Sequence, residues 1–212
     1  IRDMYLEGND VIYYITVTNE KYLQPAKPPC TKAHILKGMY QYRYEEENTH
    51  NLNLLGSGAI MNEVIKAADI LKSDYGIHPH IWSVTSYKNL YDDAREVERH
   101  NTLNPNDLKE SHIRFLTGNE PGLFIAASDY MKALPLSVAT YFPGRFVALG
   151  TDGFGLSEER ASLRDHFEVN AKHIVYTTLA KLHEEGKIDG KILPKAMKKL
   201  GIQPDKINPA LV

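Results

Sequence analysis

Arg145-Phe-Val-Ala-Leu-Gly-Thr-Asp-Gly-Phe-Gly-Leu-Ser-Glu-Glu-Arg-Ala-Ser-Leu-Arg-Asp-His-Phe-Glu-Val-Asn170 is the stretch on which the fold turns. An apolar run, Phe146–Leu149, stops at Gly150, crosses a loop rich in glycine and enters a segment dense in charge. Such a passage is expected at the carboxyl end of a strand in an open α/β sheet, the edge where ligands and partner domains dock. In the loop, Gly150, Gly153 and Gly155 give access to unusual dihedrals, and the side-chain oxygens of Asp152 and Ser157 suit backbone N–H groups. Ser157 is the expected cap of the next short helix, with Glu158 and Glu159 favourable to its dipole. That helix would expose Arg160 and Arg164, one turn apart, and turn Leu163 and Phe167 inward. Arginines at this spacing suit carboxylates on a facing surface. Asp152, Ser157, Arg160, Arg164, His166 and Glu168 are therefore the candidate residues. They read first as an interface with another domain or subunit, and second as a loop for a small anion.

Working outward, the apolar patterns alternate between strand and helix. Val11–Val17 is β-branched and aromatic throughout, the composition of a strand buried on both faces. Three prolines then follow in Gln24-Pro-Ala-Lys-Pro-Pro-Cys30, which disfavours helix and favours an extended linker. A lone strand ahead of a linker cannot complete a sheet, so it is expected to belong to a preceding domain. Gly38–Glu45 alternates like an edge strand, and Leu52–Leu55 is a short buried strand ending at Gly56. The helix after it places Ile60, Val64, Ala67, Ala68 and Leu71 on one face. Ile81–Val84 and Leu123–Ala127 are further strands, and Asn89–Asn101 is a polar helix. A helical stretch is expected from Asp129 to about Tyr141, with Pro135 tolerable only near its first turn. Asn170 should cap a long helix that turns Ile174, Val175, Thr178, Leu179 and Leu182 inward and stops at Gly186. Lys195–Leu200 adds one more helical piece. The alternation predicts an α/β fold with a mostly parallel sheet and helices on both faces.

Composition narrows the partners. The 212 residues, 42% hydrophobic and 25% charged, fit a soluble globular protein, expected in the cytoplasm. A formal charge of −2 offers no general attraction to nucleic acid or anionic membrane. One cysteine, Cys30, leaves no intrachain disulfide framework and suits a reducing compartment. No apolar run approaches a membrane span, and the opening residues lack a signal pattern. Ile1 is not an initiator methionine, and the reading is a piece of a longer chain.

Most local motifs reduce to structure. Gly56-Ser57-Gly58 lacks the third glycine of a dinucleotide fingerprint, since Met61 stands there, and reads as a tight turn. His78 and His80 precede a strand without a thiolate or carboxylate nearby in sequence, and His173 and His183 are too far apart on one helix to chelate together. Gly-x-Ser-x-Gly is absent, and Cys30 sits among prolines with nothing to activate it.

A longer series carries a resemblance. It runs through Tyr13-Tyr14-Ile15-Thr16, Asn19-Glu20-x-Tyr22, Pro25-Ala26-x-Pro28, Lys37-Gly38, Leu54-Leu55-Gly56-Ser57-Gly58 and Ala67-Ala68-x-Ile70-Leu71-x-x-Asp74-Tyr75-Gly76. It continues with Ser83-Val84-Thr85-Ser86, Glu98-Arg99-x-Asn101 and Ser128-Asp129-Tyr130-Met131-Lys132. Leu149–Ser157, Leu163-Arg164-x-His166-Phe167-Glu168-Val169 and Asp205-Lys206-x-Asn208-Pro209 complete it. In order and spacing this series resembles the carboxyl end of the homodimeric, thiamine-diphosphate-dependent decarboxylating component of bacterial pyruvate dehydrogenase.

The resemblance implies a transketolase-type C-terminal domain, a three-layer α/β/α sandwich whose mostly parallel sheet has one antiparallel edge strand. Residues 1–28 would end a preceding pyrimidine-binding domain, 29–37 would be a linker, and 38–212 would form the C-terminal domain. The implied parent enzyme decarboxylates pyruvate on thiamine diphosphate with magnesium and acetylates the lipoyl group of an acetyltransferase component. Its implied partners are a second subunit and the upstream domains of the same chain, with no nucleic acid or membrane. In that family the cofactor and catalytic motifs lie upstream, so no catalytic, cofactor-binding or metal-binding residue is assigned here. The segment alone is expected to be inactive and to bind no cofactor. Asp152-Gly153 is not the cofactor motif: the order is Gly-Thr-Asp-Gly, and Asn170 lies too close to serve as its metal-binding asparagine. Two departures stand out, Pro135 within an expected helix and the less acidic Cys30–His34 linker. The alternatives are a small-anion regulatory module, or the same domain of another thiamine enzyme such as transketolase or a branched-chain 2-oxoacid decarboxylase.

Overall fold

A computed structural model describes residues 1–13, 17, 21–29 and 31–211. Its centre is a five-stranded sheet in the order β1-β3-β2-β4-β5. The strands are β1 Met39–Arg43, β2 Leu52–Gly56, β3 His80–Val84, β4 Gly122–Ala127 and β5 Gly144–Leu149. β3, β2, β4 and β5 run parallel, while β1 joins the β3 edge antiparallel. Helices α1 (Lys32–Lys37), α2 (Met61–Tyr75), α3 (Tyr87–Leu103), α4 (His112–Thr117), α5 (Ala133–Leu136), α6 (Arg160–His166), α7 (Ala171–Glu184) and α8 (Ile192–Leu200) complete the chain. The mostly parallel sheet with helices on both faces follows the alternating patterns, and the three-layer sandwich with its antiparallel edge strand is the one the resemblance implies.

The two faces of the sheet are sorted by the period-2 geometry of a strand. Leu52, Leu54, Ile81, Leu123 and Ile125 enter one core with the inward faces of α2 and α7. Leu55, Trp82, Phe124 and Ala126 enter the other with Leu90 of α3 and Ile113 of α4. Asn53 breaks the apolar run of β2, yet it is satisfied: Trp82 Nε1 donates to its Oδ1 at 2.9 Å. A buried amide without that indole would cost roughly 1–3 kcal/mol. Gly56 ends β2 because a Cβ there would lie 2.9 Å from the Cα and Sδ of Met61, so the glycine lets α2 start against the strand. The Gly-Ser-Gly turn is thus a packing device.

Two local expectations are corrected, and the segment 29–37 contains a short helix. Val11–Tyr13 and Val17 form no strand and are exposed, Ile12 and Val17 almost fully, while Tyr14–Thr16 lie outside the described residues. The open sheet edges are already set by β1 and β5, and no described strand lies beside this segment to pair with it. The span Asp129–Tyr141 is not one helix: α5 has four residues, followed by a 3-10 turn at Ala139–Tyr141. Pro135 sits buried in the first turn of α5, where its ring and missing N–H are tolerated and disfavour helix only on its amino-terminal side. Within residues 29–37, α1 forms directly after the prolines, and Thr31 anchors the approach by donating Oγ1–H to the Pro28 carbonyl at 2.8 Å.

Candidate functional site

β5 delivers the chain to the carboxyl edge of the sheet, and the loop that follows is tied to the loop after β4. The Thr151 N–H donates to the Tyr130 carbonyl at 3.0 Å, and Thr151 Oγ1–H donates to the Asp129 carbonyl at 2.6 Å. Asp152 Oδ1 accepts the Lys132 N–H at 2.8 Å, and its other oxygen lies 3.6 Å from Lys132 Nζ. Asp152 therefore holds the start of α5. Of the three loop glycines only Gly153 takes a left-handed φ, 101°. A Cβ there would stand 2.2 Å from the Pro209 carbonyl oxygen, so the carboxyl tail packs directly on this turn.

α6 departs from its expected start. Glu159 occupies the cap position, no side chain caps the helix, and Ser157 is exposed on the cleft lip. The chain bends at Glu158 and the helix starts only at Arg160, leaving Ser157 too early to reach the first helical N–H groups. Leu163 is half-buried and Phe167 and Val169 are buried, as the inward face requires. Arg164, expected exposed, is instead mostly enclosed: its Nη1 lies 3.2 Å from Glu63 Oε1, with side-chain exposures of 16% and 18%. Glu63 Oε2 also accepts the Ala171 N–H at 2.9 Å, at the first turn of α7. One carboxylate thus joins α2, α6 and α7 (a cross-link between residues 101 and 108 positions apart).

Tyr22 completes the arrangement from the amino-terminal side. Arg160 Nη1 and Arg164 Nη2 both donate to its hydroxyl, the latter at 3.1 Å. The two guanidinium carbons stand 5.4 and 5.6 Å from the tyrosine ring centroid, within cation–π range. At the other end of α6, Lys206 Nζ donates to the carbonyls of Asp165 and His166 at 2.5 and 2.7 Å and lies 3.5 Å from Glu168. A lysine on the last carbonyls is a favourable charge at that helix terminus. His166 meets the ring of Phe167 edge-on, with centroids 4.8 Å apart.

The six candidates therefore do not form one surface. Arg160 and Arg164 share Tyr22, Glu168 turns to the carboxyl tail, Asp152 serves α5, and Ser157 borders a cleft of about 510 Å3. That cleft is also lined by Asp129, Thr151, Glu158 and Glu159. Asp129 has its carboxyl pushed above the usual range by the protein packed around it, with Arg164 and Arg160 pulling the other way. A larger open groove of about 700 Å3 runs along α3 and α4, and some of its polar groups are paired within it. Tyr141 donates to Glu98 at 3.2 Å, and Asn101 exchanges two hydrogen bonds with the backbone of Lys109.

Glu63, Asp129, Tyr22 and Lys206 were not among the sequence candidates. Tyr22, Asp129 and Lys206 stand in the segments that carry the family resemblance, the one sequence signal that touched them. Neither Asp152 nor Asn170 is arranged for a diphosphate-bound magnesium ion. Asp152 is committed to Lys132, and Asn170 caps α7 through the His173 N–H at 3.2 Å and donates to Asp165 at 2.9 Å. Among the described residues no cluster of three or more His, Cys, Asp or Glu side chains could hold a metal ion. No helix among them is long and apolar enough to cross a membrane. Asp152 and Asn170, both engaged within the fold, do not fit the cofactor's metal.

Comparison with known proteins agrees with this architecture. Pyruvate dehydrogenase E1 component from Cupriavidus necator is 41% identical over 215 residues, covering 100% of this chain and 24% of its own length. The same-named proteins of Pseudomonas aeruginosa and Escherichia coli are 42% and 41% identical over 98% of the chain and 24% of theirs. The chain thus spans about a quarter of the length of these curated relatives. Transketolase from Pichia stipitis aligns over 73% of this chain and 19% of its own at a TM-score of 0.50 and 14% identity, a likeness of fold alone. The family described as the transketolase-like TK C-terminal domain matches residues 38–170, and the chain belongs to that family.

Proposed function

We propose that this chain is the C-terminal portion of a pyruvate dehydrogenase E1 component and acts there in assembly. The observation that carries the reading is identity of 41–42% to three bacterial E1 components across 98–100% of the chain. In this reading the whole enzyme decarboxylates pyruvate with thiamine diphosphate and magnesium, groups held outside residues 1–212. It then passes the acetyl unit to the lipoyl group of an acetyltransferase component. The enzyme is a cytoplasmic homodimer, with residues 1–28 closing a preceding domain, 29–37 linking, and 38–212 forming the C-terminal domain. Of the six candidates, Ser157, Arg160 and Arg164, which line the cleft, belong to its docking side, while Asp152, His166 and Glu168 hold the elements around it.

The electrostatics of the cleft favour docking over capture of a free anion. Its walls carry the carboxylates of Asp129, Glu158 and Glu159 against the guanidiniums of Arg160 and Arg164. Arg164 already faces Glu63, and both arginines face Tyr22. A metabolite anion would have to displace these contacts and meet three carboxylates.

The test is turnover by the full-length protein with thiamine diphosphate and magnesium. Pyruvate-dependent acetylation of a lipoyl domain is the expected result. Turnover of ketose phosphates without turnover of pyruvate would overturn the reading in favour of a transketolase.

A further inference from the structure

We propose that Arg160 and Arg164 form a socket for the phenol of Tyr22, and that this contact latches residues 21–29 onto the domain. The proposal rests on the docking reading of α6 and names the occupant of its arginine face as the chain's own upstream segment. Tyr22 turns inward while its neighbours do not: Lys21 and Gln24 are exposed, and Leu23 is 90% exposed. The phenol is gripped in two ways, by two N–H donors on its oxygen and by two guanidiniums near its ring. Planar guanidiniums one helical turn apart can do both, because each carries several N–H donors and a face that packs on a ring.

The Arg164 side of the socket is held independently of the tyrosine. Glu63 holds Arg164 from the core side, and Lys206 fixes the far end of α6. A side chain that docks onto ordered partners loses only its own freedom. The span behind Tyr22 is stiff as well, since Pro25, Pro28 and Pro29 favour extended backbone. Its far end is tied by the Thr31 hydroxyl on the Pro28 carbonyl. A stiff span pinned at Tyr22 and at Thr31 fixes the direction from which the preceding chain approaches. The latch therefore sets the pose of whatever precedes residue 21, which a flexible linker would leave free.

The experiment uses the full-length protein and its Tyr22→Phe and Tyr22→Ala variants, digested briefly with proteinase K and read by mass spectrometry. Nicking within residues 21–29 is expected to quicken about tenfold in Tyr22→Ala, from the lost hydrogen bonds and cation–π contacts together. Tyr22→Phe, which keeps the ring, should fall between that variant and the parent. Cleavage within α2 and α7 serves as the control that the domain stays folded. Nicking of Tyr22→Ala at the parental rate would overturn the latch. Pyruvate turnover by the same preparations reports separately on the functional reading, so each can fail without the other.

Discussion

Glu63 carries more of the architecture than its place on a helix surface suggests. Its two oxygens serve Arg164 of α6 and the Ala171 N–H of α7, and the pair with Arg164 is mostly shielded from water. Removing one member of such a pair leaves the other charge enclosed, and the α7 terminus loses an acceptor at the same time. Glu63→Ala should therefore cost about 2–4 kcal/mol, read from the midpoint of urea unfolding. Gly153 is a second sensitive residue, because a side chain there meets the Pro209 carbonyl and its φ of 101° is strained for any L-residue. Gly153→Ala should cost roughly 1–3 kcal/mol and free the carboxyl tail, visible as faster carboxypeptidase trimming. Titration supplies a third expectation. Burial pushes the buried His112 below its ordinary value of 6.5, helped by Lys37 and His34, while the Met39 carbonyl and Asp93 oppose. His173 is lowered likewise by burial, with Lys206 and Lys172 adding to it and Glu168 and Asp165 opposing. Both imidazoles bind a proton more readily in the unfolded chain, so stability is full above about pH 6.5 and falls as pH drops toward the folded values. The melting temperature should decline from pH 7.5 to 5.5, roughly, and His112→Gln should flatten that decline. A melting temperature that rises on acidification would contradict the assignment.

At the scale of elements, the strands and long helices were legible because burial imposes a period on them. β2, β3, β4 and β5 appear where apolar runs stop at turn residues, and the buried face of α7 follows the expected set from Ile174 to Leu182. Asn170 caps α7 as its residue type suggested, accepting the His173 N–H. Asn170→Ala should lower stability by about 1 kcal/mol, measured by thermal melting, with Asp residues restoring most of the cap if placed there. What failed to show in the sequence was decided by contacts across the fold. The run Val11–Val17 has strand composition, but composition supplies no neighbouring strand. Arg164 looks like a surface residue until α2 brings Glu63 beside it from a hundred residues away. Ser157 has the chemistry of a cap, yet the helix begins three residues later. Pro135 lies in a first turn, as its residue type requires, but the expected single helix divides into a four-residue helix and a 3-10 turn.

For the whole molecule, sheet order and layers place the carboxyl edge of β4 and β5 beside α6, and the family match covers the same body, residues 38–170. The resemblance read from scattered segments named this family and its fold, because order and spacing over a whole domain are far more specific than any local motif. The roles of the individual site residues were less legible, since Asp152, Arg164 and Glu168 each face a partner remote in sequence. Under the proposed function, residues 1–212 organise the molecule and leave cofactor chemistry to the rest of the protein. Calorimetric titration of folded residues 1–212 with thiamine diphosphate and magnesium tests it most directly, with circular dichroism to establish the fold. No saturable heat is expected. A saturable isotherm with a dissociation constant on the order of micromolar, about 8 kcal/mol of binding free energy, would contradict it.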